Sequence, residues 1–240
     1  MLRDTQGLDS CHVITNGLRP GVIGRIVELA HRLHLGETNG LPLKQEGRGH
    51  FPNTERLRSG WNSGDTANIC IGQGEMDVTP VQMAVLTAAL ANGGKVLWPR
   101  LVSRLEPQDP ASMEAPTVFP AGRIRDRLGV NPQYLQIVRD AMVAETEDNE
   151  GTGRHARLDG LRICGKTGTA EKMEHGVKSN TTWFISFAPY EAPARYAIVV
   201  MVEDGASGGA TCAPVAREIY KELFNLGKPG VNRIALTSTR

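Results

Sequence analysis

The sequence predicts a mixed α/β protein of the α+β type, in which an antiparallel sheet is packed with helices. Two observations carry this prediction. Four segments repeat apolar residues at helical spacing. Three strand-like segments lie between positions 161 and 202, and the fourth helical segment follows them. Because strands and an amphipathic helix can bury one another's apolar sides, we expect a sheet with helices on it.

The first two helices are predicted from their start and stop signals. The first follows Pro20 and stops at Gly36, and its apolar positions are Ile26, Leu29, Ala30 and Leu33. The second begins at residues 79–82 (TPVQ), where a threonine can cap the helix, a proline suits the first helical position and a glutamine completes a capping box.

The third and fourth helices are predicted from their apolar faces. The third opens at residues 131–132 (NP), and its face is formed by Leu135, Val138, Ala141 and Met142. The fourth starts near Pro214, ends at Gly227 and places Val215, Ile219 and Leu223 on one stripe. An acidic run near the end of the third helix is interpreted as a solvated turn; its members are Glu145, Glu147, Asp148 and Glu150.

The three strands are predicted at residues 161–169, 183–187 and 197–202. The last is apolar without alternation, which is typical of a strand buried on both faces. Residues 171–182 are expected to form a mobile loop between the first two strands, with its turn at Gly176. Residues 103–122 hold four prolines and few apolar side chains, which indicates a surface excursion.

Composition excludes several classes of protein. Among 240 residues, 27 Lys and Arg against 26 Asp and Glu leave a net charge of +1, which argues against a nucleic-acid-binding protein. No stretch approaches the ~18 apolar residues of a membrane span, and residues 1–10 lack the apolar core of a signal peptide. The four cysteines are widely spaced, so we expect neither a zinc site nor a dense disulfide framework. We also expect no cofactor.

Residues 160–167 (GLRICGKT) fit the phosphate-loop pattern G-x-x-x-x-G-K-[ST] letter for letter. A phosphate loop needs a buried strand before its first glycine and a helix after its threonine. Residues 153–159 (GRHARLD) are no buried strand, and glycines at 168 and 176 break the segment that follows. The flanking segments therefore disfavour a nucleotide-binding site, and this interpretation is the weakest of the alternatives.

The same residues form a better strand that lines a cleft. Alternation along a strand places Lys166 and Gly168 on one face and Thr167 and Thr169 on the other. A lysine there can hold a carboxylate or bias a hydroxyl proton, and a glycine lets another backbone pair with the strand. Backbone N–H groups at such an edge can stabilise an oxyanion.

Several further segments, in the same order along the chain, resemble the transpeptidase domain of penicillin-binding proteins. They are residues 64–74 (GDTANICIGQG), 78–84 (VTPVQMA), 151–153 (GTG), 164–171 (CGKTGTAE), 183–189 (WFISFAP), 203–205 (EDG) and 208–209 (GG). The resemblance covers roughly residues 20–226 and is strongest to the class B, elongation-type enzymes. It is far more specific than the K-T-G triplet alone.

The resemblance implies a serine β-lactamase/D,D-transpeptidase-like fold and acyl transfer onto peptidoglycan stem peptides, with β-lactams as mimics of the D-Ala-D-Ala end. Lys166 and Thr167 would orient the substrate carboxylate and support proton transfer. Gly168 would let the peptide dock along the strand, and the N–H of Thr169 would form half of the oxyanion hole. Ser10, in residues 10–12 (SCH), is the best candidate for the serine of the family's S-x-N motif, with histidine in place of asparagine.

The chain departs from the family at the nucleophile. No serine of the sequence has a lysine three residues later, so the S-x-x-K motif is missing. In the family this motif precedes the segments above, so we expect residues 1–240 to be the C-terminal part of a transpeptidase domain, with poorly ordered ends at 1–19 and 227–240, and to be inactive alone. The alternative is a non-catalytic remnant, or a module that binds peptidoglycan or a partner protein.

Partners and location follow from the resemblance only. It implies stem peptides, β-lactams, a glycosyltransferase and other cell-wall elongation proteins as partners, at the outer face of the plasma membrane through an anchor outside these residues. Two upstream strands complete the sheet in the family, and one of them pairs with the last strand. Residues 197–202 would then expose an apolar edge, and we expect association or poor solubility.

Overall fold

A computed structural model of the chain describes residues 21–109, 114–174, 177–191 and 193–225. The helices are α1 (Val22–Arg32), α2 (Thr54–Arg58), α3 (Ser63–Cys70), α4 (Pro80–Ala91), α5 (Pro132–Glu147) and α6 (Ala213–Leu223). The strands are β1 (Lys95–Leu97), β2 (Arg104–Leu105), β3 (Thr117–Val118), β4 (Ile124–Arg127), β5 (Cys164–Glu174), β6 (Val177–Ala188) and β7 (Tyr196–Glu203).

The largest sheet is antiparallel and has the strand order β5-β6-β7. Gly168 pairs with Trp183, which pairs in turn with Met201. Directly paired residues share a face of a sheet, so Lys166 and Gly168 lie on one face with Trp183. Their neighbours Thr167 and Thr169 lie on the other, as the alternation predicts, and the α+β fold class is confirmed.

Helices cover both faces of this sheet. On the Thr167 face, Phe184 and Val200 pack against Cys212, Ala213 and Ala216 at the start of α6. On the Lys166 face, Cys164 and Phe187 pack against Met142 and Val143 of α5, with the end of α4 beside them. A second core lies away from the sheet and joins α1, α3, α4 and β1; its most buried members are Val27, Ala30, Ala89, Val96 and Leu128.

The predicted helix starts are confirmed. The Thr79 side chain accepts a hydrogen bond from the N–H of Gln82, and the Gln82 side chain accepts one from the N–H of Thr79, so the capping box is complete. The Asn131 side chain caps α5 by accepting a hydrogen bond from the N–H of Gln133, with Pro132 at the first turn. The predicted surface excursion is also confirmed in its described part, where β2 and β3 form an exposed two-stranded ribbon.

The loop predicted at residues 171–182 is wrong. Strand β5 continues to Glu174 and β6 begins at Val177, and the ladder between them is unbroken from the Cys164–Phe187 pair to the Glu174–Val177 pair. Residues 177–182 (VKSNTT) include β-branched residues, which favour a strand. The turn position lies outside the described residues.

Three predicted burial patterns are also wrong. Strand β7 is half-buried along most of its length, and Met201 is exposed, because within the described residues β7 pairs with β6 alone. The stripe predicted on the last helix, formed by Val215, Ile219 and Leu223, is exposed, while Ala213, Ala216 and Tyr220 face the sheet. In α5, Val138 and Ala141 are exposed, and Val143 and Thr146 take their places in the core.

Among the helices of the described residues, none combines the length and the apolar character that a membrane crossing requires.

Candidate functional site

The candidate site lies on β5, which is an edge strand of its sheet among the described residues. In an extended strand the N–H and C=O of one residue point to the same side of the strand, and those of the next residue point to the opposite side. The N–H of Thr167 reaches Glu145 and the C=O of Thr169 reaches Gln73, and both of these partners lie off the open edge. The backbone groups of Thr167 and Thr169 therefore face outward, away from β6.

Lys166 extends from the sheet face around this edge. Its Nζ donates to the carbonyl oxygen of Thr167 at 2.9 Å and lies 3.3 Å from Oε1 of Glu145. The lysine side chain is 58% exposed, so its charge is open to a ligand. It is a fixed cation at the position that the strand interpretation assigned to it.

Thr167 contributes its hydroxyl to a cluster on the other face. Its Oγ1 lies 2.6 Å from Oγ1 of Thr152 and 2.8 Å from Oε1 of Glu145. Thr152 Oγ1 in turn donates to the same Glu145 oxygen at 2.5 Å. The 151–153 segment (GTG) thus meets the K-T-G strand through side-chain oxygens.

The interpretation of the acidic run as a solvated turn is wrong for Glu145. Its side chain is only 17% exposed, and it faces the site from the last turns of α5. Burial raises the pKa of its carboxyl, but hydrogen bonds from Thr152 and Thr167 and the charge of Lys166 outweigh it, so the pKa lies below its ordinary value. The carboxylate is therefore ionised at neutral pH.

The other acidic residues at this end of α5 behave as the solvated-turn interpretation predicts. Glu147, the neighbour of the cluster along the chain, pairs with the exposed side chain of Arg162 at 3.1 Å. The sequence does not distinguish Glu147 from Glu145, because both residues lie in the same acidic run. Only the approach of the 151–153 segment to the end of α5 distinguishes them.

Glycines make that approach possible. A Cβ atom at Gly151 would lie 2.2 Å from the carbonyl oxygen of Glu145, and one at Gly209 would lie 2.1 Å from that of Thr152. The N–H of Gly153 donates to the Glu145 carbonyl oxygen at 3.1 Å. The three backbone segments are thus in direct contact, with no room for side chains between them.

A backbone segment of the same chain lies against β5 at Gly168, but the missing side chain does not make this room, because a Cβ at Gly168 would meet only Cβ of Trp183, at 3.4 Å. A Cβ at Gly208 would lie 2.1 Å from the carbonyl oxygen of Trp183 and 2.7 Å from that of Gly168. The N–H of Gly208 donates to Oγ1 of Thr169 at 3.4 Å. One π-helical turn, Gly208–Cys212, begins at this contact and leads into α6.

Two cavities flank the strand. One of about 710 Å³ lies on the Lys166 face and is lined mostly by apolar side chains, among them Leu35, Met76, Met83, Leu86 and Trp183. One of about 420 Å³ lies on the Thr167 face, between the 150–155 segment and residues 207–210. Residues 167–169 line both cavities, so a ligand in either one contacts the same strand.

Gln73 is a second residue that sequence reasoning missed. It lies between two glycines with positive φ, Gly72 at 73° and Gly74 at 85°, and its Nε2 donates to the carbonyl oxygen of Thr169 at 3.3 Å. A peptide that adds to the β5 edge would compete for this oxygen. The two glycines around Gln73 indicate a turn. The sequence does not indicate that the Gln73 side chain contacts Thr169 on another strand.

The structure contradicts the phosphate-loop alternative. Residues 164–174 form one continuous strand, so no helix begins after Thr167, and its N–H points to a carboxylate. Ser10 lies outside the described residues. The structure brings Lys166, Thr167, Gly168 and Thr169 together on one edge. The described parts of the chain contain no group of three His, Cys, Asp or Glu residues that could hold a metal ion.

A family model supports the resemblance over most of the chain. The model of the penicillin-binding protein transpeptidase domain matches residues 21–221. A peptidoglycan D,D-transpeptidase MrdA from Haemophilus influenzae is 29% identical over 215 residues, which are 82% of this chain and 32% of the relative. The chain thus spans about a third of the length of this curated relative.

Solved structures agree with the sequence comparison. Penicillin-binding protein 3 from Mycobacterium tuberculosis in complex with aztreonam superposes with a TM-score of 0.73 at 26% identity, over 90% of this chain and 48% of that one. The penicillin-binding protein in a complex of PBP2 and MreC from Helicobacter pylori gives a TM-score of 0.65 at 25% identity, over 90% and 38%. From its fold, its K-T-G edge and the family match, the chain belongs to the penicillin-binding protein transpeptidase domain family.

Proposed function

We propose that the chain is the C-terminal, peptide-binding part of a peptidoglycan D,D-transpeptidase, which crosslinks stem peptides by serine acyl transfer and is blocked by β-lactams. Relatives with that printed name match 82% and 85% of the chain. In this proposal the open edge of β5 receives the D-Ala-D-Ala end of a stem peptide.

The observation that carries the proposal is the outward direction of Thr167 and Thr169 on an edge strand beside a cation. An extended peptide can add to such an edge through main-chain hydrogen bonds. Lys166 attracts its terminal carboxylate, and Gly168 leaves room beside the strand. In this proposal the outward N–H of Thr169 supplies half of an oxyanion hole.

The chain alone is expected to bind without reacting. No serine in the sequence has a lysine three residues later, so the family's nucleophile motif is missing from these residues. Binding and electrostatic contributions remain when a nucleophile is lost. Ser10 stays a candidate for the proton relay of the second motif, with His12 in the place of the family's asparagine.

The proposed partners and location rest on the relatives. One solved relative is in complex with aztreonam, and another is in complex with MreC. We therefore propose that β-lactams and cell-wall elongation proteins are partners of this chain. A glycosyltransferase partner is proposed from the family resemblance. The proposed compartment is the outer face of the plasma membrane, with the anchor outside residues 1–240.

A binding titration tests the peptide site. We expect a peptide that ends in D-Ala-D-Ala to bind the chain more tightly than its L-Ala-L-Ala isomer, and Lys166→Met to weaken binding of the D-Ala-D-Ala peptide, because Lys166 attracts its carboxylate. Lys172→Met is the matched control, because Lys172 lies on the same face of β5, lines the same cavity and pairs with Glu203 at 3.2 Å. Equal binding of the two isomers, or equal losses in the two variants, would contradict the proposal.

Mass spectrometry tests the missing nucleophile. After incubation with a labelled penicillin, the chain is expected to keep its unmodified mass of 26.0 kDa. A stoichiometric covalent adduct would show that the chain holds a working acyl acceptor, and would defeat this part of the proposal.

A further inference from the structure

A carboxylate oxygen of the protein itself already contacts the hydrogen-bond donors of the candidate site. Oε1 of Glu145 receives the Thr167 N–H at 3.3 Å, lies 2.8 Å from the Thr167 hydroxyl and 2.5 Å from the Thr152 hydroxyl, and faces Lys166 Nζ at 3.3 Å. Lys166 and Thr167 are the groups that the proposed function gives to the terminal carboxylate of a ligand. An internal anion therefore lies where an external one is expected.

The hydroxyl protons of this cluster are fully used. Three oxygen atoms, from Thr152, Thr167 and Glu145, make three mutual contacts of 2.5 to 2.8 Å. Each threonine has one proton to donate and the ionised carboxylate has none, so only two of the three contacts can be hydrogen bonds. Whichever two they are, the Thr167 hydroxyl has no proton left for a ligand carboxylate while Glu145 stays in place.

The position of Glu145 on its helix shows that these donors hold its side chain. It lies two residues before the end of α5 at Glu147, where the helix dipole disfavours a negative charge. Despite that location and its small exposure, the pKa of the carboxyl is lowered, because the surrounding donors outweigh the burial. A ligand anion would have to compete for the same donors.

From this geometry we infer that Glu145 is a specificity-determining residue of the β5 edge, because its carboxylate fills the anion subsite formed by Lys166, Thr167 and Thr152. The inference rests on the proposed function and deepens it. A peptide end that is uncharged, such as a C-terminal amide, binds beside Glu145 without conflict. A peptide end with a free carboxylate binds only by displacing Glu145 or against its charge, and so binds more weakly than the donor set alone would allow.

Paired ligands and a charge-neutral variant test this inference. The probes are an N-acetylated peptide that ends in D-Ala-D-Ala and the same peptide as its C-terminal amide, titrated into the 240-residue chain by calorimetry. Glu145→Gln keeps the size of the side chain and removes its charge. We expect it to strengthen binding of the carboxylate peptide by about tenfold, as for the loss of one like charge near the site, and to leave the amide peptide unchanged.

Two further variants complete the design. Glu145→Met also removes the charge, with a side chain that accepts no strong hydrogen bond, and it gives the same direction of change if Glu145→Gln fails to fold. Glu147→Gln is the matched control, since Glu147 belongs to the same acidic run but pairs with Arg162 outside the cluster. It is expected to change binding of neither peptide.

The outcomes separate this inference from the proposed function. If the wild-type chain binds the carboxylate peptide and the neutral variants bind it equally or more weakly, Glu145 is a supporting residue and the inference is wrong while the proposed function stands. If the wild-type chain and all three variants bind neither peptide, the proposed function fails and the inference fails with it.

Discussion

At Gly165, the strand that carries the site has no room for a side chain. A Cβ atom there would lie 2.4 Å from Cζ of Phe184 and 2.9 Å from Cγ2 of Thr146, and both of these side chains are fully buried. In the sequence this glycine completes a phosphate-loop pattern. In the structure its role is steric, because it lets the ring of Phe184 lie against β5 next to Lys166.

We therefore expect Gly165→Ala to destabilise the chain by about 1–3 kcal/mol, the usual cost of overpacking a core. Gly24→Ala is the control, since Gly24 is exposed within α1 and no atom other than the neighbouring backbone of that helix lies within 4 Å of the place that an added methyl group would take. That change is expected to stabilise the chain by roughly 0.5–1 kcal/mol through helix propensity. Urea denaturation measures both free energies of unfolding, and equal effects would contradict the steric role.

Glu145 predicts a pH dependence of stability. Its pKa is lowered in the folded chain from an ordinary value of 4.5, so the unfolded chain binds its proton more readily. The stabilisation is complete above the ordinary pKa and is lost as the pH falls through the lowered one. We expect the free energy of unfolding to fall more steeply below about pH 4.5 in the wild-type chain than in Glu145→Gln.

Other carboxyl groups with lowered pKa values, such as Glu75 and Asp140, are present in both proteins and cancel in this comparison. Denaturant unfolding between about pH 3 and pH 7, followed by circular dichroism, gives the two curves. Parallel curves would show that the hydrogen bonds and the charge around Glu145 do not stabilise the folded state.

At the scale of elements, a short chain of hydroxyl groups joins α6 to the sheet. The Tyr220 hydroxyl donates to Oγ of Ser186 at 3.1 Å, and Ser186 donates to the carbonyl oxygen of Ile198 at 3.2 Å. Tyr220 and Ser186 are both fully buried, and burial raises the pKa of the Tyr220 phenol well above its ordinary value. The helix, β6 and β7 are thus linked by polar groups inside an apolar core.

Tyr220→Phe is expected to cost about 1–2 kcal/mol, because it leaves the buried Ser186 hydroxyl without its donor while the ring packing is kept. Tyr134→Phe is the control, since the Tyr134 side chain on α5 is 63% exposed. Thermal unfolding of the two variants should show a lower midpoint for Tyr220→Phe alone. Equal midpoints would mean that water satisfies Ser186 equally well.

Elements with strong local signals were predicted correctly. The capping box at Thr79 and the Asn131-Pro132 start of α5 depend on contacts within one turn of the chain, which the sequence contains in full. The extent of β5 and β6 was not predictable in the same manner. Residues 171–174 and 177–182 are mostly polar, and their strand conformation depends on pairing with each other across the hairpin.

At the scale of the whole molecule, one side of the sheet region is apolar and uncovered within the described residues. Among the residues that the structure describes, β7 pairs with β6 only, and the exposed stripe of α6 lies on Val215, Ile219 and Leu223. The helical periodicity of these three residues predicts a buried face, but it does not tell which segment would cover that face. The K-T-G residues were predicted because one strand holds them all, whereas Glu145, Thr152 and Gln73 reach β5 from other segments through tertiary contacts.

The uncovered surface predicts self-association of the chain. An unpaired strand edge next to apolar side chains is a template for pairing with a second copy. We expect light scattering to show species larger than the 26.0 kDa monomer, and Met201→Lys, which places a charge on the half-exposed β7, to reduce their proportion. A monodisperse monomer at every concentration would contradict the expectation.

The central claim is that the outward backbone groups of Thr167 and Thr169 receive a peptide end. Amide resonances of the isotope-labelled 240-residue chain, recorded by two-dimensional NMR during titration with a D-Ala-D-Ala peptide, test it most directly. The account predicts saturable shifts of the Thr167, Gly168 and Thr169 amides, with smaller shifts in the more distant α1. Binding of the peptide that leaves these three resonances unmoved would contradict the account.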